Sequence, residues 1–152
     1  MDIEVFTPYM QTRVTRFFER CFSSVGISYS PADRHADVAD IERYYMRTGC
    51  FWCLISGGEI IGTVAVRRID DSADTVELKR LFVLPECQGN GYGRRLLRHA
   101  EAYARAQRYK KMCLDTRRQF SAAQQLYISE GFEAIERYND NPTAELYFEL
   151  TL

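Results

Sequence analysis

The chain has 152 residues, enough for one domain over 1–152 and too few for a second full one. Its 46% hydrophobic and 27% charged residues are globular composition, which excludes a disordered tail protein and makes a disulfide or metal staple unnecessary. Lys+Arg of 20 against Asp+Glu of 21 leave a net charge of −1, so no overall field draws the chain to nucleic acid or to a membrane surface.

Residues 2–6 alternate weakly and predict a first strand. Pro8 opens a helix to about residue 24, with Met10, Val14, Phe17, Phe18, Cys21 and Phe22 on one stripe. After a break at 26–31, the spacing of Val38, Ile41, Tyr44 and Tyr45 predicts a second helix over 31–47, closed by Gly49. Residues 51–55 and 60–69 read as strands joined by a hairpin turn at Gly57 and Gly58. A polar turn at 70–74 leads to a third long strand over 75–84, which Pro85 stops. A helix follows over 91–108, then a strand over 111–115. Ser121 with Gln124 predicts a capping box for the next helix, which Gly131 ends. Residues 132–135 form a short strand, and 145–150 alternate cleanly as a last one, as suited to pairing across a homodimer as to a monomer. Hairpins followed by strand–helix–strand–helix–strand predict an α/β fold with a partly antiparallel sheet.

Five cysteines, an odd number, with no basic stretch before an apolar run and no 18-residue apolar segment, predict reduced thiols, a cytoplasmic protein and no membrane contact. Cys50-Phe51-Trp52-Cys53 has the C-x-x-C form, but no second pair completes a metal set; it reads as the edge of a buried strand. Three of the basic residues are lysines and 17 are arginines, whose fork suits an anionic ligand, although plain surface solvation also accounts for such a count.

The strongest signal is Gln88-Gly89-Asn90-Gly91-Tyr92-Gly93-Arg94, between the strand carrying Leu81, Phe82 and Val83 and the start of a helix. Glycines let backbone N–H groups turn toward one point, and the helix N-terminus adds its own unpaired N–H groups and positive dipole end. Together they suit a phosphate or diphosphate. A Walker A loop requires Gly-Lys-Ser/Thr where Arg94 and Arg95 stand. A dinucleotide fingerprint reads G-x-G-x-x-G rather than G-x-G-x-G, and too few residues follow for a doubly wound sheet.

The loop matches the Q/R-x-x-G-x-G/A pattern of the GNAT superfamily of acetyl-CoA-dependent N-acetyltransferases, which the chain closely resembles. A second stretch, Ala123 through Leu126 and Tyr127 to Gly131 and Phe132, is similar to that family's A-x-x-L-Y-x-x-x-G-F helix and turn. The resemblance covers about residues 51–132. It implies a mixed central sheet of six or seven strands, splayed at the acetyl-CoA site and flanked by about four helices. It implies acetyl-CoA as co-substrate, no metal, and a small-molecule or peptide amine as acceptor: a small amino acid, a polyamine or a protein amine. Leu81, Phe82 and Val83 would meet the pantetheine arm, with the Val83 N–H toward the thioester oxygen. Gln88, Gly89, Asn90, Gly91, Tyr92, Gly93 and Arg94 would hold the diphosphate, with Arg94, Arg95 or Arg117 adding charge. Tyr127 takes the place of the tyrosine that protonates the leaving thiolate. Glu77 takes that of a general-base glutamate, on a face shared with Lys79, Leu81 and Val83 if the strand is regular. Phe120 stands where many members carry Asn. Tyr29 to His35, Phe51 to Cys53 and Tyr138 to Pro142 are expected to shape the acceptor site. The alternative to an enzyme is a non-catalytic acyl-CoA-binding regulatory module.

Overall fold

Gly57 and Gly58 adopt positive φ of 57° and 82°, a two-residue turn whose twist matches that of flanking strands. In this computed structural model, which describes residues 1–69 and 72–152, they join β2 (Gly49–Ser56) to β3 (Glu59–Arg68) as an antiparallel hairpin. β1 (Asp2–Val5) adds to β2, and β4 (Thr75–Val83) adds to β3, both antiparallel. The expected polar turn at 70–74 includes Asp70 and Asp71, which lie outside the described residues. β5 (Lys111–Thr116), β6 (Glu133–Ala134) and β7 (Leu146–Thr151) complete a seven-stranded sheet of order β1-β2-β3-β4-β5-β7-β6, in which β4 and β5 are parallel. β7 lies inside the sheet, between β5 and the short β6, which pairs with it at Phe148 and Glu149.

The helices are α1 (Gln11–Ser24), α2 (Ala36–Ala39), α3 (Ile41–Tyr45), α4 (Tyr92–Ala106) and α5 (Ser121–Ser129). Phe51 and Trp52 are neighbours on β2 and therefore point to opposite faces. Phe51 meets Phe18 of α1 and Tyr45 of α3, whereas Trp52 meets His99 and Tyr103 of α4. α1 and α3 thus cover one face and α4 the other. The unbroken buried run from Ile60 to Val66 in β3 follows from that double cover.

The sheet, its mixed order and the predicted strands match expectation, and three local details differ. The helix expected over 31–47 is two short helices, because Asp40 leaves the helical region and its carboxylate accepts from the Arg43 N–H at 3.3 Å. This gives five helices in place of about four. The capping box at Ser121 does not form. Phe120 is the cap position, and Gln124 instead donates to the carbonyls of Arg117 and Arg118. In β4, Thr63 pairs with Phe82 and Ala65 with Lys79, so Arg80 and Leu81 face Val64 alone across a bulge. Arg80 takes φ of 54° there. The face expected to hold Glu77, Lys79, Leu81 and Val83 is therefore broken: beyond the bulge it is Phe82 that packs on Phe18 and Phe22 of α1.

Among the described residues no helix is long and apolar enough to cross a membrane. The four cysteines Cys21, Cys50, Cys53 and Cys113 are buried free thiols, with Cys50 and Cys53 inside β2 as expected.

Gly49 opens β2 as well as following α3. A Cβ added there would fall 1.8 Å from the Val66 carbonyl oxygen, with further backbone atoms at 2.6 and 2.8 Å. Gly49→Ala is expected to destabilise the fold by about 3 kcal/mol or more, because a backbone ladder cannot yield as a side chain does. Thermal melts should show a fall of roughly 6–12 °C.

Candidate functional site

β4 and β5 pair only from Thr75 to Glu77 against Lys111 to Cys113. Beyond those pairs the two strands part, and the segment that leaves β4 borders the gap. The Leu84 N–H donates to the Ile61 carbonyl at 2.9 Å. Because antiparallel strands alternate bonded and non-bonded pairs, the Val83 N–H one residue earlier turns away from β3 and toward the gap.

The loop after Pro85 then exposes its amides. Gly89 and Gly91 sit at φ of 79° and 78°, where a Cβ would be strained. Asn90 Nδ2 donates to the carbonyls of Cys87 at 3.0 Å and Gln88 at 3.2 Å, and Gln88 Nε2 donates to the Val83 carbonyl at 3.1 Å. The loop's side-chain amides thus engage its carbonyls. Among the described residues, the N–H groups of Gly89, Asn90, Gly91, Tyr92, Gly93 and Arg94 have no acceptor. With the start of α4 behind them they are disposed as the donors of an anion site are.

The gap widens into a cleft of about 1080 Å³. All the expected cofactor residues line it except Asn90, whose side chain is spent on the two carbonyls. Arg94 contributes its N–H rather than its charge: its guanidinium is held by Glu130 at 2.7 Å and the Ser129 hydroxyl at 3.0 Å. Hydrogen bonds from Arg98 keep the Glu130 carboxyl below its ordinary value, with Arg94 adding to the effect. Arg95 reaches the Met1 carbonyl and does not line the cleft, whereas Arg117 does.

Tyr127 lies on the cleft wall, 6% exposed, with its ring between Phe132 and Phe148. Burial, aided by the nearby charge of Asp115, raises its phenol well above the ordinary value, so the hydroxyl keeps its proton at working pH. Phe120, at the position of the departure noted in the sequence, lines the cleft edge-on to Phe82. Burial pushes the Cys113 thiol up to about 12, which leaves no thiolate there at neutral pH.

Glu77 sits elsewhere. It is 5% exposed and is not among the cleft-lining residues. Arg67 bonds its Oε1 at 3.2 Å, while the Tyr138 hydroxyl and Asn139 Nδ2 donate to Oε2 at 2.6 and 3.2 Å. Asn139 and Asn141 also donate to the two oxygens of Asp115, at 2.6 and 3.1 Å. The loop between β6 and β7 is thereby pinned onto β4 and β5, and Asn139, Asn141 and Pro142 form part of the cleft wall. Phe51, Trp52 and Cys53, expected near the acceptor, are instead sealed in the core.

The Arg80–Asp37 pair carried no local signal, whereas His35 stands in the segment expected to shape the acceptor site and does line the cleft. Arg80 bonds both oxygens of Asp37, at 2.8 and 2.7 Å, and the Tyr45 hydroxyl donates to the same carboxylate. Burial alone would raise the Asp37 carboxyl, but the bonds and charge of Arg80, with Tyr45 and Lys79, outweigh it and hold the group below its ordinary range. His35, 4% exposed, stacks on Phe22 and accepts the Ser30 N–H at Nδ1, which places its ring proton on Nε2. Burial, with the charge of Arg80, lowers its pKa and keeps it neutral.

Known proteins agree with this geometry. The model of the acetyltransferase (GNAT) family matches residues 12–132. An N-acetylaspartate synthetase of Danio rerio is 34% identical over 134 residues, which is 82% of this chain and 47% of that protein; the chain thus spans less than half the length of this relative. The crystal structure of a GNAT-family acetyltransferase from Staphylococcus aureus superposes with a TM-score of 0.89 at 22% identity, over 99% of this chain and 98% of that one. A Salmonella typhimurium chain solved with its cofactor acetyl-CoA superposes with a TM-score of 0.76 at 21% identity, over 99% and 93%.

Asp37→Asn leaves the Arg80 guanidinium without its counter-charge and is expected to destabilise the protein by about 3 kcal/mol at pH 7. The folded-state pKa of Asp37 is depressed, so the pair stabilises above the unfolded value near about pH 4 and fades as pH falls below it. Urea melts should show a constant gap between wild type and variant from about pH 5 to 8 that narrows as pH falls below about 4.

Proposed function

This chain belongs to the acetyltransferase (GNAT) family, and from that premise we propose that it moves the acetyl group of acetyl-CoA to a primary amine by direct attack, as one domain over residues 1–152. The observation that carries the reading is the row of unpaired N–H groups from Gly89 to Arg94 at the mouth of the split sheet. Those amides receive the diphosphate of coenzyme A. Leu81, Phe82 and Val83 line the path of its arm, and a Salmonella neighbour of the same fold was solved with acetyl-CoA as its cofactor.

The Val83 N–H faces the gap, where it stabilises negative charge that develops on the acetyl oxygen as the amine attacks. The carbon–sulfur bond then breaks, and Tyr127, whose phenol stays protonated, gives its proton to the departing sulfur. The attacking amine must be neutral, and an alkylammonium has a pKa of about 10. Both oxygens of Glu77 are already engaged by Arg67, Tyr138 and Asn139, so we assign Glu77 to holding the wall of the cleft and let water take the amine's proton. We route no step through a cysteine: the Cys113 thiol stays protonated and away from the cleft lining, and Cys87, which does line the cleft, has no side chain hydrogen-bonded to its sulfur among the described residues. Five free thiols suit the reducing cytoplasm, where we place the protein.

Tyr127→Phe should lower kcat about 10²- to 10⁴-fold and leave the Kd for acetyl-CoA, measured by calorimetry, within about twofold. Wild-type protein that binds acetyl-CoA yet releases no thiol with any amine would favour a non-catalytic acyl-CoA-binding module. If water accepts the proton, kcat/KM should rise about tenfold per pH unit below the amine's pKa. A profile that stays flat across that range would return the base role to Glu77.

A further inference from the structure

The charges on the cleft wall away from the glycine loop do not balance. Arg34, Arg67, Lys79, Arg80 and Arg117 face Asp33, Asp37 and Asp115. Two of the cations are satisfied, Arg80 by Asp37 and Arg67 by Glu77. The Lys79 ammonium lies 3.9 Å from Asp115, a long contact to a carboxylate that already accepts hydrogen bonds from Asn139 and Asn141. Arg34 and Arg117 have no ion-pair partner among the described residues, and the exposed Asp33 is the one wall carboxylate left to set against the two of them. They come from distant parts of the chain, one before α2 and one after β5, yet both line the cleft and both charges are felt by the His35 ring. His35 adds to the same sense, because with Nδ1 occupied by Ser30 its other nitrogen is a donor only.

Lys79 has a further distinction. Glu77 and Cys113 are the last paired residues of β4 and β5, so Lys79 and Asp115 are the facing pair just past the point where the strands part. The Lys79 side chain there is 17% exposed and lines the cleft. Such a wall repels a polyamine and attracts a molecule that brings negative charge of its own.

We infer that the acceptor is an amine that also carries a carboxylate, and that Lys79 and Arg117, with Arg34 at the rim, bind that carboxylate. The inference rests on the acetyl-transfer reading above and names the class of amine that it leaves open. An ammonium and a guanidinium suit it differently: Lys79 offers a point charge where the strands part, Arg117 a fork.

The test uses the full chain and three acceptors of matched length: aspartate, its dimethyl ester and a diamine. Thiol release should be at least tenfold higher in kcat/KM for aspartate than for either of the others. Lys79→Met, which keeps the apolar stem, and Arg117→Gln, at a partly buried position, should each raise KM for aspartate at least tenfold and leave the KM for acetyl-CoA within twofold. Succinate, a dicarboxylate without an amine, reads the subsite without turnover: it should bind wild type by calorimetry and fail to bind either folded variant. Equal use of the ester or the diamine overturns the inference, as does a loss that falls on acetyl-CoA instead, which would assign these cations to the cofactor's phosphates. Failure of the acetyl-transfer reading looks different: no acetyl-CoA heat and no thiol release with any acceptor, whatever succinate does.

Discussion

A ladder that stops after three residue pairs organises this molecule. Parallel strands pair well when both run straight, and β4 and β5 do so only from Thr75 to Glu77. Just past that point β4 carries two residues where its other neighbour carries one, and Arg80 takes a left-handed backbone conformation. Such a conformation in a residue with a side chain persists only when its surroundings fix it. They do: the Thr63 hydroxyl bonds the Arg80 carbonyl at 2.8 Å, and Asp37 grips the guanidinium. The bulge bends β4 away from β5, and the space between them becomes the cleft. Without it β4 would hold the alternation of a regular strand, and Phe82 would not reach α1.

The divided labour of the glycine loop follows from simple accounting. Every buried carbonyl and amide must find a partner, yet an anion site needs amides that have none. Gln88 and Asn90 resolve the conflict by donating to carbonyls only, so donors remain in surplus at the place where the helix dipole also favours negative charge. The side chains of Arg94 and Arg98 are turned outward onto Glu130, which ties the first turns of α4 to the end of α5. The anion site is therefore made of backbone, and the nearby arginines stiffen it.

What the sequence disclosed was local in origin. Gly57 and Gly58, the stripe on α1, the loop from Gln88 to Arg94 and the Tyr127 helix are all written in short windows where periodicity or backbone freedom decides the outcome. What it hid was set by distant contacts. Asp37 meets Arg80 from 43 residues away, and Glu77 receives Tyr138 from 61. No pattern near Glu77 distinguishes a carboxylate open to substrate from one wrapped by donors that arrive after two further strands and two helices. The break at Asp40 lies between these cases. Its cap to Arg43 is local, but the apolar spacing from Val38 to Tyr45 runs across it and hides the interruption.

The sheet is open, and its two outer strands are brief: four residues in β1 and two in β6. An uncovered outer strand invites any passing extended chain to add on, which is the first step toward a fibril. Here that invitation is short and negatively charged. Asp2 and Glu4 stand exposed along one margin and Glu133 on the other, so an incoming strand meets like-sign carboxylates of its own kind. A fold that splits its centre to admit a ligand, and so cannot close into a barrel, protects its borders by making them small and acidic.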